Sequence, residues 1–484
     1  MRALGNIWLD RSGRLTLQEQ LVLHFKELIQ GGTLHAGEAV PSSRELAEQL
    51  QISRNTVVYA YDRLTSEGYF APVSRSGVFV SSSISFSRPA KGSKRPIVRR
   101  VLKFQEPAAA PRLLGSPCPF RPCQPDVTLF PLLIWNRLRG RALREQGRNF
   151  LHYQSSCVPG FPQLRELLAS YLRDSRGVRC DWRQIVITSG SQQALYILAN
   201  LLLRAGDHVY MEDPGYLEAR FVWQNAGARI YPGPLDEQGL KLPPRNRSPF
   251  ALIYTTPSRQ FPTGISLSLA RRLALIDYAA KMKTWIVEDD YDSELAYRAA
   301  PLPSLQSLDQ GGRVIYVGTF SKLLFPSLRL GYVVVPEDLL EDFIRLKHLI
   351  DDHLPLIDQA TLASFLESGA FYSHIRRCRK AYAERQELFL QFFHSADLPI
   401  EFPYTDGGMN LTGLLPAGAN DAEWTRRLRS AGFDVPALSS FAVGRSRPGL
   451  VFGFTAFNPA AIRGALERML PLLGQNPRRE RTSA

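Results

Sequence analysis

Lys322 stands in the run Val314-Ile-Tyr-Val-Gly-Thr-Phe-Ser-Lys-Leu-Leu-Phe-Pro-Ser-Leu-Arg-Leu-Gly-Tyr332, an ammonium set beside Leu323, Leu324 and Phe325 and bracketed by hydroxyls and an arginine. Desolvation disfavours the charged form of a lysine and frees its lone pair, the requirement of Schiff-base chemistry. A loop lysine can instead carry its charge outward while its stem covers apolar surface. Four further motifs weigh between these readings.

Ile187-Thr-Ser-Gly-Ser-Gln-Gln-Ala194 reads as strand, glycine turn and helix start, a helix N-terminus with free amides and hydroxyls fit for a phosphate. Val287-Glu-Asp-Asp-Tyr-Asp-Ser-Glu294 ends an apolar strand with several carboxylates. A carboxylate so placed can hold a proton on a pyridine nitrogen and strengthen the ring as an electron sink. Clustered acids also suit a metal, but hard-cation loops interleave glycines and carbonyls that this run lacks. Met211-Glu-Asp-Pro-Gly-Tyr216 puts an aromatic after a tight turn, able to stack on a planar ring or to fill a core. Arg329 lies beyond Pro326, where the chain bends back, and could pair bidentately with phosphate.

The elements that must position these residues follow from pattern. From Pro117 to Leu473 strand-like and helical stretches alternate, as in a parallel α/β sheet, with Ile185–Thr188, Ala251–Tyr254, Trp285–Glu288 and Val314–Val317 as fully buried strands. Residues 1–80 differ. Thr16 with Glu19 and Ser42 with Glu45 form capping boxes, and Ser53 caps a third helix from Arg54 to about Glu67. Strands at Tyr69–Val73 and Val78–Val80 follow, completing a winged helix-turn-helix. The first turn of the third helix then carries Arg54, Asn55 and Thr56, residue types that read base edges and phosphates, with Arg44 toward the backbone and Arg75 at the wing tip.

Between the two parts, residues 81–116 form a linker with eight Lys/Arg against one Asp/Glu, half of the chain's net charge of +14. Such a cluster suits a polyanion or serves as a solvated, self-repelling spacer. Residues 474–484 read as a disordered tail. No run approaches the roughly 18 apolar residues of a membrane span and Met1–Asp10 shows no secretory signal, so a cytoplasmic protein with reduced cysteines and no metal site is expected.

The segment Gly37-Glu-Ala-Val-Pro-Ser-Ser-Arg-Glu-Leu-Ala through Glu67-Gly68 resembles the DNA-binding domain of GntR-type bacterial regulators, implying Arg44, Ser53, Arg54, Asn55, Thr56 and the wing around Arg75 as DNA-facing. The Lys322 constellation resembles fold-type I aminotransferases, which bind pyridoxal 5′-phosphate (PLP). That resemblance implies a Schiff base at Lys322, Asp289 on the pyridine nitrogen with Asp290 the alternative, Tyr291 on the ring oxygen and Tyr216 stacked on the ring. It further implies Ser191, Gln192, Thr319, Ser321 and Arg329 around the phosphate, and Tyr153 reaching a partner subunit's phosphate in a homodimer. The combination is similar to the MocR-type subfamily of GntR regulators. The expected protein is a multidomain, dimeric regulator that grips an operator of two half-sites in double-stranded DNA. It senses PLP, or an amine or amino-acid effector, through Lys322. A working aminotransferase with an appended DNA-binding domain is the alternative. Two departures bear on the choice: Phe261 stands where enzymatic relatives usually carry Asn, and Val451 where these proteins often carry a carboxylate-clamping arginine. Either Arg445 or Arg447 substitutes for it, the effector is not an α- or ω-amino acid, or PLP itself is the signal.

Overall fold

Helix α1 (Leu17–Gln30) begins where Thr16 accepts from the Glu19 amide and Glu19 answers the Thr16 amide, and α2 (Ser43–Leu50) repeats the box with Ser42 and Glu45. Each box satisfies two of the amides that a helix start leaves open. Gln51 takes a left-handed backbone at φ 53°, which breaks the helix and sets up the turn into α3 (Arg54–Ser66), capped by Ser53. Strands β1 (Phe70–Val73) and β2 (Gly77–Val80) then pair antiparallel. Phe25, Tyr61 and Phe70 lock α1, α3 and β1 together edge to face, at centroid separations of 5.7, 5.3 and 5.2 Å.

The computed structural model describes residues 7, 9–11, 13, 15–73, 77–82, 118–244, 249–298, 302–396 and 398–474. Arg75, residues 83–116 of the basic linker and residues 475–484 of the tail lie outside them. The chain divides into two compact units, residues 1–101 and 102–484. All five cysteines are free, and no helix among the described residues is long and apolar enough to cross a membrane.

The larger unit is built on eight strands: β3 (Ile185–Thr188), β4 (His208–Asp213), β5 (Arg229–Asp236), β6 (Gly239–Leu240), β7 (Leu252–Thr255), β8 (Trp285–Asp290), β9 (Val314–Thr319) and β10 (Gly331–Val334). Their spatial order is β3-β10-β9-β8-β7-β4-β5-β6. The sheet is mixed rather than parallel as the sequence pattern implies. Strand β10 runs antiparallel to both β3 and β9, while β9, β8, β7, β4 and β5 are parallel. The cause is local: β9 reaches β10 through a loop turned at Pro326–Leu328, with no crossover helix to carry the chain back to the starting edge. A separate pair, β11 (Asn410–Leu414) and β12 (Gly449–Gly453), lies C-terminal to the long helix Ala370–Ser395.

The register places the carboxyl ends of β3, β4, β7, β8 and β9 along one edge of the sheet. Open α/β sheets bind ligands at that edge. Gly331 opposes both Thr188 and Thr319 there, and a Cβ on it would lie 2.8 Å from the Gly190 backbone. Only glycine permits that approach.

Phe25 is fully buried in the small unit, whose size leaves little reserve. Truncation by Phe25→Ala is expected to remove about 3–5 kcal/mol. Amide hydrogen exchange should then show protection lost across α1–α3 and retained across β3–β10.

Candidate functional site

A cavity of about 480 Å³ opens at the carboxyl edge of the sheet, and its lining brings together residues from six separated stretches of chain. Strand β9 ends at Thr319, and the loop after it delivers Ser321 and Lys322. The apolar residues around the lysine turn the other way: Phe320, Leu323 and Leu324 are buried in the core, and His374 Nε2 lies 2.9 Å from the Leu323 carbonyl. Lys322 is thereby left half-buried in the cavity lining, where its ammonium donates to the Cys123 carbonyl at 3.2 Å.

One end of the cavity is suited to an anion. Helix Gly190–Leu202 starts there with Ser191 and Gln192, beside Thr319 and Ser321. Arg329 holds a left-handed backbone, donates to the Ser189 carbonyl at 3.0 Å and packs its guanidinium against Gly190. Gly190, at φ +72°, gives that guanidinium room beside the helix start. The Ser321 amide donates to the Thr319 hydroxyl at 3.2 Å, while Ser321 Oγ is buried without a partner. Gln192 donates to the Tyr216 hydroxyl at 3.2 Å, holding that ring in the lining.

At the end of β8 two adjacent aspartates have opposite fates. Asp290 is paired with Arg176 at 2.8 Å and accepts from the Tyr316 hydroxyl at 2.7 Å. Burial alone would raise its carboxyl, but the guanidinium and the hydroxyl outweigh it and hold the group below its ordinary value. Among the described residues, none places a cation at hydrogen-bond distance from Asp289. Burial pushes its carboxyl up to about 7, against the hydrogen bond that Tyr254 donates to Oδ2 at 2.7 Å. Its Oδ1 is buried with no partner, as is the hydroxyl of Tyr291. Asp290 is thus tied to Arg176 away from the cavity, whereas Asp289 lines it.

Three unpartnered buried polar atoms, an amine and an anion cup in one lining fit a ligand carrying an aldehyde, a protonatable ring nitrogen and a phosphate. Of the residues singled out from sequence for that ligand, Tyr153 stands apart: it is 92% exposed, against the His353 ring and outside the cavity. Tyr254 and Cys123 were not legible as site residues. Tyr254 had one signal, a hydroxyl-bearing aromatic at the end of an apolar strand. Cys123 contributes a backbone carbonyl, which leaves no mark in a sequence.

In the small unit, Arg44, Ser53, Arg54 and Asn55 are exposed and Thr56 is half-buried. Arg54, Asn55 and Thr56 form the first turn of α3, and Ser53 uses its hydroxyl to cap that helix.

Residues 137–458 match the family described as aminotransferase class I and II, and residues 17–80 match the bacterial regulatory proteins of the gntR family. Among relatives, "Probable rhizopine catabolism regulatory protein MocR" of Rhizobium meliloti is 36% identical over 95% of this chain and 94% of its own. The pyridoxine biosynthesis transcriptional regulator PdxR of Corynebacterium glutamicum is 32% identical over 93% and 94%. This chain is a MocR-type member of the GntR family. Its larger unit also superposes on a multiple substrate aminotransferase of Thermococcus profundus, with TM-score 0.68 and 27% identity over 81% of this chain and 98% of that one. Like other MocR-type regulators, it joins a helix-turn-helix transcription-factor domain to an aminotransferase-like body.

Both departures seen in the sequence are structural features of this MocR-type protein. Phe261 is buried edge to face against Tyr216, Tyr291 and Phe441. Its loop is held by Glu212, a buried carboxylate that accepts from both hydroxyls of Thr255 and Thr256, from the Thr256 amide and from Gln260. Val451 is fully buried in β12 among apolar side chains. Arg447 is exposed and pairs with Glu401 at 2.6 Å, Arg445 is exposed, and neither lines the cavity.

Asp290→Ala leaves Arg176 buried without its carboxylate and is expected to cost about 3–5 kcal/mol in denaturant unfolding. Asp289 behaves in the opposite sense. Because its folded-state carboxyl is raised, its ionisation costs stability increasingly as pH climbs from the ordinary aspartate value to about 7, then levels off. In cofactor-free protein, Asp289→Asn should raise the melting temperature clearly at about pH 8 and less at about pH 5. An equal shift at both would contradict the assignment.

Proposed function

We propose that this protein is a PLP-dependent transcriptional regulator of the cytoplasm. In this reading, residues 1–80 grip DNA, residues 81–116 link, and residues 117–473 sense the cofactor or an amine that reacts with it. The observation that carries it is the convergence of Lys322 with the unpartnered Asp289 Oδ1, Tyr291 hydroxyl and Ser321 Oγ in one cavity. When bound, PLP supplies an aldehyde that condenses reversibly with amines and an aromatic ring that withdraws electrons.

The chain's own residues have distinct tasks in this reading. Lys322 holds the aldehyde carbon through its amine. Ser191, Gln192, Thr319, Ser321 and Arg329 neutralise and orient the phosphate. Tyr216 covers the ring and Tyr291 donates to its oxygen. Asp289 keeps a proton on the ring nitrogen; its raised carboxyl returns to the ionised form when a cation is set beside it. Phe261 and Tyr216, both in the lining, would exclude water from the ring.

On the DNA side, Arg54 and Asn55 read base edges, Arg44 and Thr56 meet the backbone, and Ser53 and Arg75 complete the contact surface. Two copies make a homodimer in which Tyr153, exposed and outside its own cavity, serves the partner's phosphate. Ligand-dependent closure of the sensor then alters the spacing of two DNA-binding units over two half-sites. A working aminotransferase is the second reading, favoured by Lys322 and Asp289 sharing one cavity; steady transfer of amino groups to a keto acid would establish it.

Lys322→Ala is expected to abolish the visible absorbance of the bound cofactor and leave the melting temperature of the cofactor-free protein unchanged. A wild type that binds no PLP would end the sensor reading. With an operator selected from random duplexes, Arg54→Ala should weaken binding by roughly 1–3 kcal/mol and relax one base position. Unchanged affinity and sequence preference would reject base reading by Arg54.

A further inference from the structure

The charges inside the cavity restrict what can enter it. Among the described residues lining it, the basic side chains are Lys322 and Arg329. Arg329 sits at the anion cup, against Gly190. The lining also holds two acids, Asp289 and Glu218, and the apolar faces of Cys123, Tyr216 and Phe261. Behind these, Leu217, Leu438, Phe441 and Val451 pack as one apolar cluster.

Three further guanidiniums of this unit are engaged elsewhere. Arg259 is held by Asp292 at 3.3 Å and by the Asp406 carbonyl at 2.8 Å. Arg220 is buried over the Phe441 carbonyl at 3.5 Å, and Arg447 is bound to Glu401. A ligand carboxylate in this cavity would lose its hydration against aromatic rings, and among the described lining residues the cations are Lys322 and Arg329, both engaged by the cofactor in this reading. An apolar tail there would gain from burial in proportion to its area.

We infer that the effector is a primary amine with an apolar tail and no carboxylate. The inference rests on the reading of Lys322 as the cofactor's covalent anchor. The incoming nitrogen forms its bond to the cofactor's aldehyde carbon as the bond from that carbon to Nζ breaks. Its two protons pass to Nζ, so Lys322 leaves as a free amine, and no oxidant or reductant is needed. The released lysine stays within reach of the Cys123 carbonyl, its present acceptor.

The test uses full-length protein loaded with PLP and matched pairs of amines: phenethylamine against phenylalanine, and hexylamine against 6-aminohexanoate. Displacement of the Lys322 linkage is read from the visible spectrum, and binding from the shift in melting temperature. Each amine is expected to act at a concentration at least about tenfold below that of its carboxylated twin. Val451→Arg, which places a guanidinium in the apolar cluster, should narrow or reverse the preference, and Val451→Leu should preserve it. Should Val451→Arg fail to fold, the wild-type pairs decide alone. Twins that act equally, amino acids that act better, or a loaded protein that responds to neither member overturn the inference and leave the cofactor reading standing. Absence of any PLP band before amines are added overturns the cofactor reading, and this inference with it.

Discussion

A carboxyl group removed from water at the end of a buried strand, with one oxygen held by a tyrosine and the other by nothing, is the constraint on which the site depends. Asp289 occupies that position, 3% exposed and with Oδ1 unpartnered. Burial of an acid without a cation is unfavourable, and the penalty can be relieved by a proton or by a positively charged ligand atom. A ligand bearing a protonated nitrogen therefore stabilises the fold as it binds. Asp290 shows the contrast: the same side chain, one residue on, is paired through Oδ2 with Arg176 and Tyr316 and does not line the cavity.

The rest of the larger unit can be understood as holding that acid in register with an amine and an anion cup. Parallel pairing of β8 with β9 aligns Asp289 with Val317, so the loop after Thr319 starts from the same edge. That loop alternates its loyalties, burying Phe320, Leu323 and Leu324 and leaving Ser321 and Lys322 in the cavity lining. The antiparallel β10 brings Gly331 between Thr188 and Thr319, close enough to Gly190 that only a missing Cβ fits. Arg329, two residues before it, is thereby seated at the start of the helix whose amides face the same end.

Much of this was legible in the chain because it is local. Both capping boxes, the Ser53 cap and the hairpin declare themselves within a few residues, and so does a lysine stranded among leucines. The groups that reached the site from a distance were not legible. Tyr254 meets Asp289 across 35 residues, Arg176 meets Asp290 across 114, and the Cys123 carbonyl meets Lys322 across 199. Pairing over such separations is set by sheet order and helix packing, for which a single sequence carries no direct mark. The same limit hid the reversal of β10, since a short apolar strand reads alike in either direction. The departures at Phe261 and Val451 were visible as letters, but their meaning came from packing: both belong to one apolar cluster with Phe441.

The central claim is that Lys322 is the residue that holds PLP. Borohydride reduction of the purified full-length protein, followed by proteolysis and mass spectrometry, tests it most directly. A pyridoxyl phosphate adduct is expected on the peptide containing Lys322. An adduct confined to other lysines, or none on protein incubated with excess PLP, would contradict it.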